Sequence, residues 1–180
     1  MPGSPAPDLS SLAGCSPAEL ERVRRLLAEG RLGEDLAGRY PERHQVRDDR
    51  ALYLAAMALK DRFLQRTPPL DRVRYDARML PLADTLGTLS AHALVQGSRL
   101  RARREIRIAT LFRDAPAAFL RMVLVHELAH LKEPEHSKAF YQLCTHMEPD
   151  YARLEFDLRL YLLAREADGP PRGQPPRAIG

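Results

Sequence analysis

The amino-acid sequence predicts an α+β fold in which a small sheet lies between two groups of helices. Apolar residues recur at helical spacing before residue 66 and again after residue 115. Residues 100–109 instead alternate between polar and apolar side chains, which is typical of a half-buried strand. We therefore expect a small, mostly antiparallel sheet packed on one long helix, with helices before and after it.

The proline distribution separates a folded region from two tails. The chain has 180 residues, 44% of them apolar, which is enough for one domain with a hydrophobic core. Residues 1–10 and the Pro/Gly-rich residues 168–180 are predicted to be disordered, so that residues 11–167 form a single domain. Its three expected parts, in chain order, are N-terminal helices over 16–66, a sheet over 70–110 and a helical part with the candidate site over 115–166.

The first helix has the most specific boundary signals. Ser16 is the predicted N-cap, Pro17 the first helical residue and Glu19 the second half of a capping box, and Gly30 is a suitable stop. Two further helices are expected over residues 32–39 and 47–65, the latter ended by Thr67-Pro68-Pro69.

The middle of the chain predicts strands over residues 72–76, 85–95 and 100–109, with a hairpin turn at Gly97-Ser98. The last strand carries a cluster of basic residues: Arg99, Arg101, Arg103, Arg104 and Arg107. A solvated strand face protected by charge is the favoured interpretation. The alternative is a surface that binds phosphates or an acidic substrate.

A strongly apolar helix is expected over residues 115–132, capped by Asp114, with Pro116 in its first turn and Pro134 ending it. Its "FLRMVLV" stretch predicts burial on most faces. Further helices are expected over residues 137–147 and 150–166.

The H-E-x-x-H motif in this helix predicts a metal site. His126 and His130 are four residues apart, so their imidazoles project from one helical face and can hold one metal ion. Glu127 is the expected general base for a water on the metal. His136 is the expected third ligand, because Pro134 forces a turn that could bring it back, and Glu133 or Glu135 is the alternative.

Residues around the motif have several possible supporting roles. One acid could orient a ligand histidine through its second ring nitrogen; the candidates are Glu148, Asp150, Glu155 and Asp157. Oxyanion stabilisation has four candidates, each more often structural: His92, His146, Tyr141 and Tyr151. Cys15 and Cys144 do not form a disulfide framework, and a buried or idle thiol is expected.

The overall composition excludes some functional classes. The net charge of +4 is too mild for a dedicated nucleic-acid binder, and no apolar run reaches the length of a membrane span. No signal peptide is recognisable at the N-terminus, so a cytoplasmic location is expected. The sequence leaves the oligomeric state open.

The motif region resembles the YgjP-like family of zinc metallopeptidases, relatives of the SprT-like and other minimal gluzincin-type zincins. The resemblance is carried by the apolar residues 123–125, the motif at 126–130, His136-Ser137 and the aromatic pair Phe140-Tyr141. It is specific over residues 115–145 and looser over 70–165. It implies a zincin-like fold, one Zn²⁺ bound by His126, His130 and His136, and Glu127 as the base.

The sequence therefore predicts a zinc-dependent hydrolase, with a peptide or protein as the first expectation for the substrate. A nucleotide or phosphoester hydrolase that uses the arginines of residues 99–107 is one alternative. A non-catalytic interaction module, whose fold the metal stabilises, is another alternative.

Overall fold

The computed structural model describes residues 16–79, 87–96 and 99–167, and of residues 87–96 and 99–102 the backbone only. The predicted α+β class is confirmed. Both tails and the Gly97-Ser98 turn lie outside the described residues. The described residues form six α-helices and three strands in this order: α1 (Pro17–Ala28), α2 (Leu32–Arg39), α3 (Asp49–Phe63), β1 (Arg72–Asp76), β2 (Gly87–Gln96), β3 (Arg99–Ala109), α4 (Ala117–Ala129), α5 (Lys138–Met147) and α6 (Tyr151–Ala167). A short 3-10 helix, Thr110–Arg113, lies between β3 and α4.

One compact unit contains α1, α2 and the part of α6 from Phe156 onward. The predicted capping box is present: the Glu19 backbone N–H donates to Ser16 Oγ, and the Ser16 N–H donates to the Glu19 carboxylate. Gly30 follows the helix with a φ of +65°, a conformation that favours glycine. Arg39 donates two hydrogen bonds of 2.8 Å to Asp157, a buried carboxylate of α6.

The second unit, Tyr40–Glu155, contains the sheet, whose strand order is β1-β3-β2. β2 and β3 form the expected antiparallel pair, from Gly87 opposite Ile108 to Gln96 opposite Arg99. β1 pairs with β3 in parallel, which makes the sheet mixed. β3 lies between β2 and β1. It runs antiparallel to β2 and in the same direction as β1.

A side-chain cap starts α3, and a hydrogen bond from β1 to its first residue joins the two elements. Asp48 caps the helix by accepting from the Ala51 N–H at 2.8 Å, and Asp49 accepts from the Tyr75 N–H of β1 at 2.9 Å. The helix ends at Phe63, before the predicted proline stop, because the Thr67 hydroxyl and N–H both donate to the Leu64 carbonyl in a tight turn.

The central helix α4 is buried on most faces, as its apolar sequence predicts; Phe119, Met122 and Val123 are fully buried. The prediction that Asp114 caps this helix is wrong. Pro116 occupies the N-cap position, and the first helical N–H, of Ala117, donates to the Glu42 carbonyl at 2.9 Å. The Asp114 carboxylate instead pairs with Arg47. Helix α4 lies against α3, α5 and the edge strand β2.

None of the described helices has the length and apolar character needed to cross a membrane.

The Asp48 cap yields a stability prediction. Asp48→Ala removes the acceptor for the Ala51 N–H and is expected to lower the free energy of unfolding by about 1 kcal/mol, measurable by urea denaturation. Asp61→Ala, at an exposed position of the same helix, is the control. Equal losses in both variants would contradict the assigned cap.

Candidate metal centre

The three predicted histidines are brought together by the end of α4 and the turn that follows it. His126 lies in the last turn of α4, and His130 is its C-cap residue. Helix α4 ends at Ala129, five residues before the predicted stop at Pro134. The chain then turns back, and His136 precedes Ser137, which caps α5 by accepting from the Phe140 N–H at 3.3 Å.

The three imidazoles have the spacing that a shared metal ion requires. One nitrogen of each ring lies within 4.8 Å of the other two. His126 Nε2 and His136 Nε2 are 3.1 Å apart. Tetrahedral ligands at a zinc–nitrogen distance of about 2.0–2.1 Å lie about 3.4 Å from one another, which is close to the observed separation. The residues therefore fit a metal ion.

Hydrogen bonds to the Nδ1 atoms orient two of these rings, those of His126 and His130. His130 Nδ1 lies 3.1 Å from the Glu133 carbonyl oxygen. Because a carbonyl only accepts, His130 Nδ1 carries the proton and Nε2 keeps the lone pair that a metal needs. His126 Nδ1 lies 2.7 Å from the Tyr151 hydroxyl. That hydroxyl is 3.5 Å from Glu155 Oε1, to which it can donate while it accepts from His126.

Tyr151 therefore supports a histidine, a role that the sequence interpretation gave only to acids. Of those acids, Glu155 reaches the site through Tyr151. Glu148 accepts from Arg121 Nε at 2.5 Å, and Asp157 accepts from Arg39. The position of Tyr151 in the first turn of α6 is clear from the sequence, but the helix packing that brings its hydroxyl to His126 is not.

Burial keeps the imidazoles of His126 and His130 neutral. It is the largest cause that lowers the pKa of His126 to about 3, and the adjacent rings of His130 and His136 add to the shift. Burial also lowers the pKa of His130, against the opposing effect of the Glu133 carbonyl. Burial raises the pKa of Tyr151, so its phenol stays protonated. Neutral imidazoles are the form that coordinates metals.

An aromatic wall closes one side of the histidine cluster. The fully buried Phe140 ring has its centroid 5.0, 4.6 and 4.8 Å from those of His126, His130 and His136. The neighbouring Tyr141 ring is 41% exposed, and its centroid is 6.3 Å from that of His136. The cluster thus has an apolar floor and an exposed aromatic edge.

The structure also shows where the other residues singled out in the sequence lie relative to the histidine cluster. Glu127 follows His126 in α4 and is 97% buried, its exposed fraction being 3%. Neither Glu133 nor Glu135, both in the described part of the chain, joins the three-histidine cluster. Cys144 is fully buried, and burial raises its pKa to about 12, which agrees with an idle thiol. His146 packs edge-on against Phe63.

The described arginines of β3 are partly neutralised by acids on the sheet. Arg107 lies 3.6 Å from Asp76, which also pairs with Arg74 of β1 at 3.3 Å. Arg74 donates in addition to Glu105 at 2.5 Å. Arg103 is exposed. This pairing favours the charged strand face over a phosphate-binding surface; the side chains of residues 99–102 and of His92 lie outside the described residues.

Comparison with known proteins agrees with this site. Residues 96–161 match the family model described as YgjP-like, metallopeptidase domain. A protein of Escherichia coli (strain K12) named UTP pyrophosphatase is 52% identical over 155 residues, which cover 86% of this chain and 93% of that protein. No solved structure matches the chain.

The hydrogen bond between Tyr151 and His126 yields a prediction about metal affinity. Tyr151→Phe is expected to weaken zinc binding about 10- to 100-fold, because the His126 ring loses its orienting partner. Competition with a chromogenic chelator measures the affinity. Tyr161→Phe, which alters a half-buried tyrosine of the same helix, is the control. Unchanged affinity in Tyr151→Phe would show that the hydroxyl does not orient the His126 ring for metal binding.

Proposed function

The chain belongs to the YgjP-like family and is a metal-dependent hydrolase, and we propose that it hydrolyses nucleoside triphosphates, with UTP as the first substrate to test. The observation that carries this proposal is the three-histidine cluster in a chain that is 52% identical to a UTP pyrophosphatase. Family and relative both support an enzyme, which disfavours the non-catalytic interaction module.

The donor set supports zinc as the metal. His126, His130 and His136 offer three imidazole nitrogens and no carboxylate. Imidazole suits zinc and other late transition metals, whereas magnesium prefers carboxylate, carbonyl and water oxygens. Three protein ligands also leave a fourth position open, as in catalytic zinc sites.

The proposed reaction needs a base, a positioned phosphate and a stabilised leaving group. A bound zinc ion would supply Lewis acidity and lower the pKa of a water molecule. Glu127 accepts a proton from the attacking water, which makes it the general base. The water oxygen forms a bond to the α-phosphorus. The bond from that phosphorus to the bridging oxygen breaks, and pyrophosphate leaves with the electron pair.

The buried position of Glu127 supports this role. The Glu127 carboxylate is shielded from bulk water, and Glu127 directly follows His126 in the same helix. The buried Phe140 ring packs against all three histidines and restricts solvent on that side. Tyr151 holds the His126 ring in place during the reaction.

The histidine cluster alone is compatible with hydrolysis of either nucleotides or peptides. We prefer nucleotides to peptides as the substrate because the Escherichia coli relative is named a UTP pyrophosphatase. The partners proposed are thus a nucleoside triphosphate and one metal ion. A cytoplasmic location, the compartment expected from the sequence, agrees with that substrate.

Peptide hydrolysis is a second candidate, favoured by one feature of the sheet. β2 is an edge strand that lies against α4. An extended peptide could pair with such an edge and so place its scissile bond beside the histidines. The family description as a metallopeptidase domain agrees with this candidate.

Product analysis distinguishes the two candidates. The zinc-loaded protein is expected to convert UTP to UMP and pyrophosphate, detected by ion-exchange chromatography, and to leave unstructured peptides intact. Metal removal with a chelator should abolish the reaction, and zinc should restore it. Peptide cleavage without UTP turnover would reject the nucleotide proposal and support the second candidate.

Replacement of the proposed base tests the mechanism. Glu127→Gln is expected to lower kcat for UTP by about 10²- to 10⁴-fold, because the amide cannot accept the proton. The bound metal should remain at the wild-type level by elemental analysis. Glu166→Gln, at an exposed position of α6, is the control. Loss of metal in Glu127→Gln would instead assign Glu127 as a ligand.

A further inference from the structure

A cleft with a basic lining lies between the end of α3 and the turn that follows α4. Its volume is about 420 Å³, within the usual range of small-molecule sites. The turn after α3 supplies most of the lining, and the turn after α4 supplies one side chain. The lining residues are Arg62, Phe63, Leu64, Gln65, Arg66, Thr67 and Lys132.

Three cations line this cleft, and its lining contains no acid. Within the described residues, Arg62, Arg66 and Lys132 form no ion pair, and Arg62 packs over the Phe63 ring at 4.9 Å. On the sheet, by contrast, Arg74 and Arg107 are paired with carboxylates. Unpaired cations around one cavity produce a local positive potential that attracts anions.

One lining residue, Lys132, is close in sequence to the histidine cluster. Lys132 is two residues beyond His130, so their Cα atoms are separated by about 7 Å at most. The Lys132 N–H donates to the Ala129 carbonyl at 3.0 Å, which fixes the backbone of this turn. The turn between His130 and His136 therefore also contributes Lys132 to the lining of the cleft.

We propose that this cleft binds the β- and γ-phosphates of the nucleoside triphosphate while the α-phosphate lies at the histidines. The inference rests on the proposed function and deepens it, because it assigns the phosphate chain to residues outside the H-E-x-x-H motif. Arg62 and Arg66 offer forked guanidinium donors that match phosphate oxygens, and Lys132 adds a point charge next to the histidines.

This placement also accounts for stabilisation of the leaving group. When the bond between the α-phosphorus and the bridging oxygen breaks, the electron pair and its negative charge pass to pyrophosphate. The three cations face that charge as it develops and compensate it. They are positioning and charge-stabilising groups, whereas the proton transfer belongs to Glu127.

A charge-matched pair of variants tests the proposal on the full zinc-loaded chain. Arg66→Ala/Lys132→Ala removes two cations from the cleft. Arg25→Ala/Arg50→Ala removes two exposed arginines, of α1 and of the opposite end of α3. Two quantities are compared with wild type: the Kd for inorganic tripolyphosphate by calorimetry, and KM and kcat for UTP. Thermal melting verifies that both variants fold.

The cleft variant is expected to bind tripolyphosphate at least about tenfold more weakly and to raise KM for UTP by a similar factor, whereas the control matches wild type. Equal Kd values in the two variants, or no tripolyphosphate binding by wild type, would overturn the cleft assignment. Tripolyphosphate binding that depends on the cleft, without UTP hydrolysis by wild type, would reject the proposed function but leave the polyphosphate site standing. The last outcome concerns an oligouridylate that has no terminal phosphate. If it binds more tightly than UTP and the cleft variant loses this binding, the cleft would be assigned to a nucleic-acid backbone and the proposal would be overturned.

Discussion

The hydrogen bond from His130 Nδ1 to the Glu133 carbonyl lies at the centre of the site, since it fixes both a ring and a turn. It leaves His130 Nε2 free to face the other imidazoles. It also closes the chain after α4, so that His136 returns to within 3.1 Å of His126. The same turn presents Lys132 to the basic cleft. Metal affinity and substrate positioning therefore depend on where α4 ends.

The distribution of ion pairs separates structural cations from those available to a substrate. Arginines on the sheet are held by Asp76 and Glu105, and Arg121 of α4 is held by Glu148 near the end of α5. These pairs connect elements of the fold, and their charge is largely compensated. The uncompensated cations of the cleft are exposed. An anion can therefore bind there without the breaking of an existing ion pair.

Local rules predicted most of the fold. The capping box at Ser16, the span of α2 and the burial of α4 follow from neighbouring residues alone, and all are confirmed. Asp114 failed as a cap because a distant carbonyl, that of Glu42, took the helical N–H. The parallel pair of β1 and β3 was missed because strand order depends on tertiary packing, which alternation of side chains does not encode.

The candidate site shows the same division between local and long-range information. The four-residue spacing of His126 and His130 predicted their common face, and Pro134 predicted a turn before His136. Tyr151 was missed as a partner of His126 because 25 residues separate them and only the packing of α6 brings its hydroxyl within 2.7 Å. The cleft was missed because its lining combines the end of α3 and the turn after it with Lys132, which is far away in sequence.

The most direct test of this account is the metal content of purified protein, measured by elemental analysis for wild type, His136→Ala and His146→Ala. His146 is an exposed histidine of α5 outside the cluster, which makes it a matched control. We expect about one zinc per chain in wild type and in His146→Ala, and loss or sharp weakening of binding in His136→Ala. A folded wild-type protein that binds no metal after zinc is added back would contradict the account, as would undiminished binding in His136→Ala.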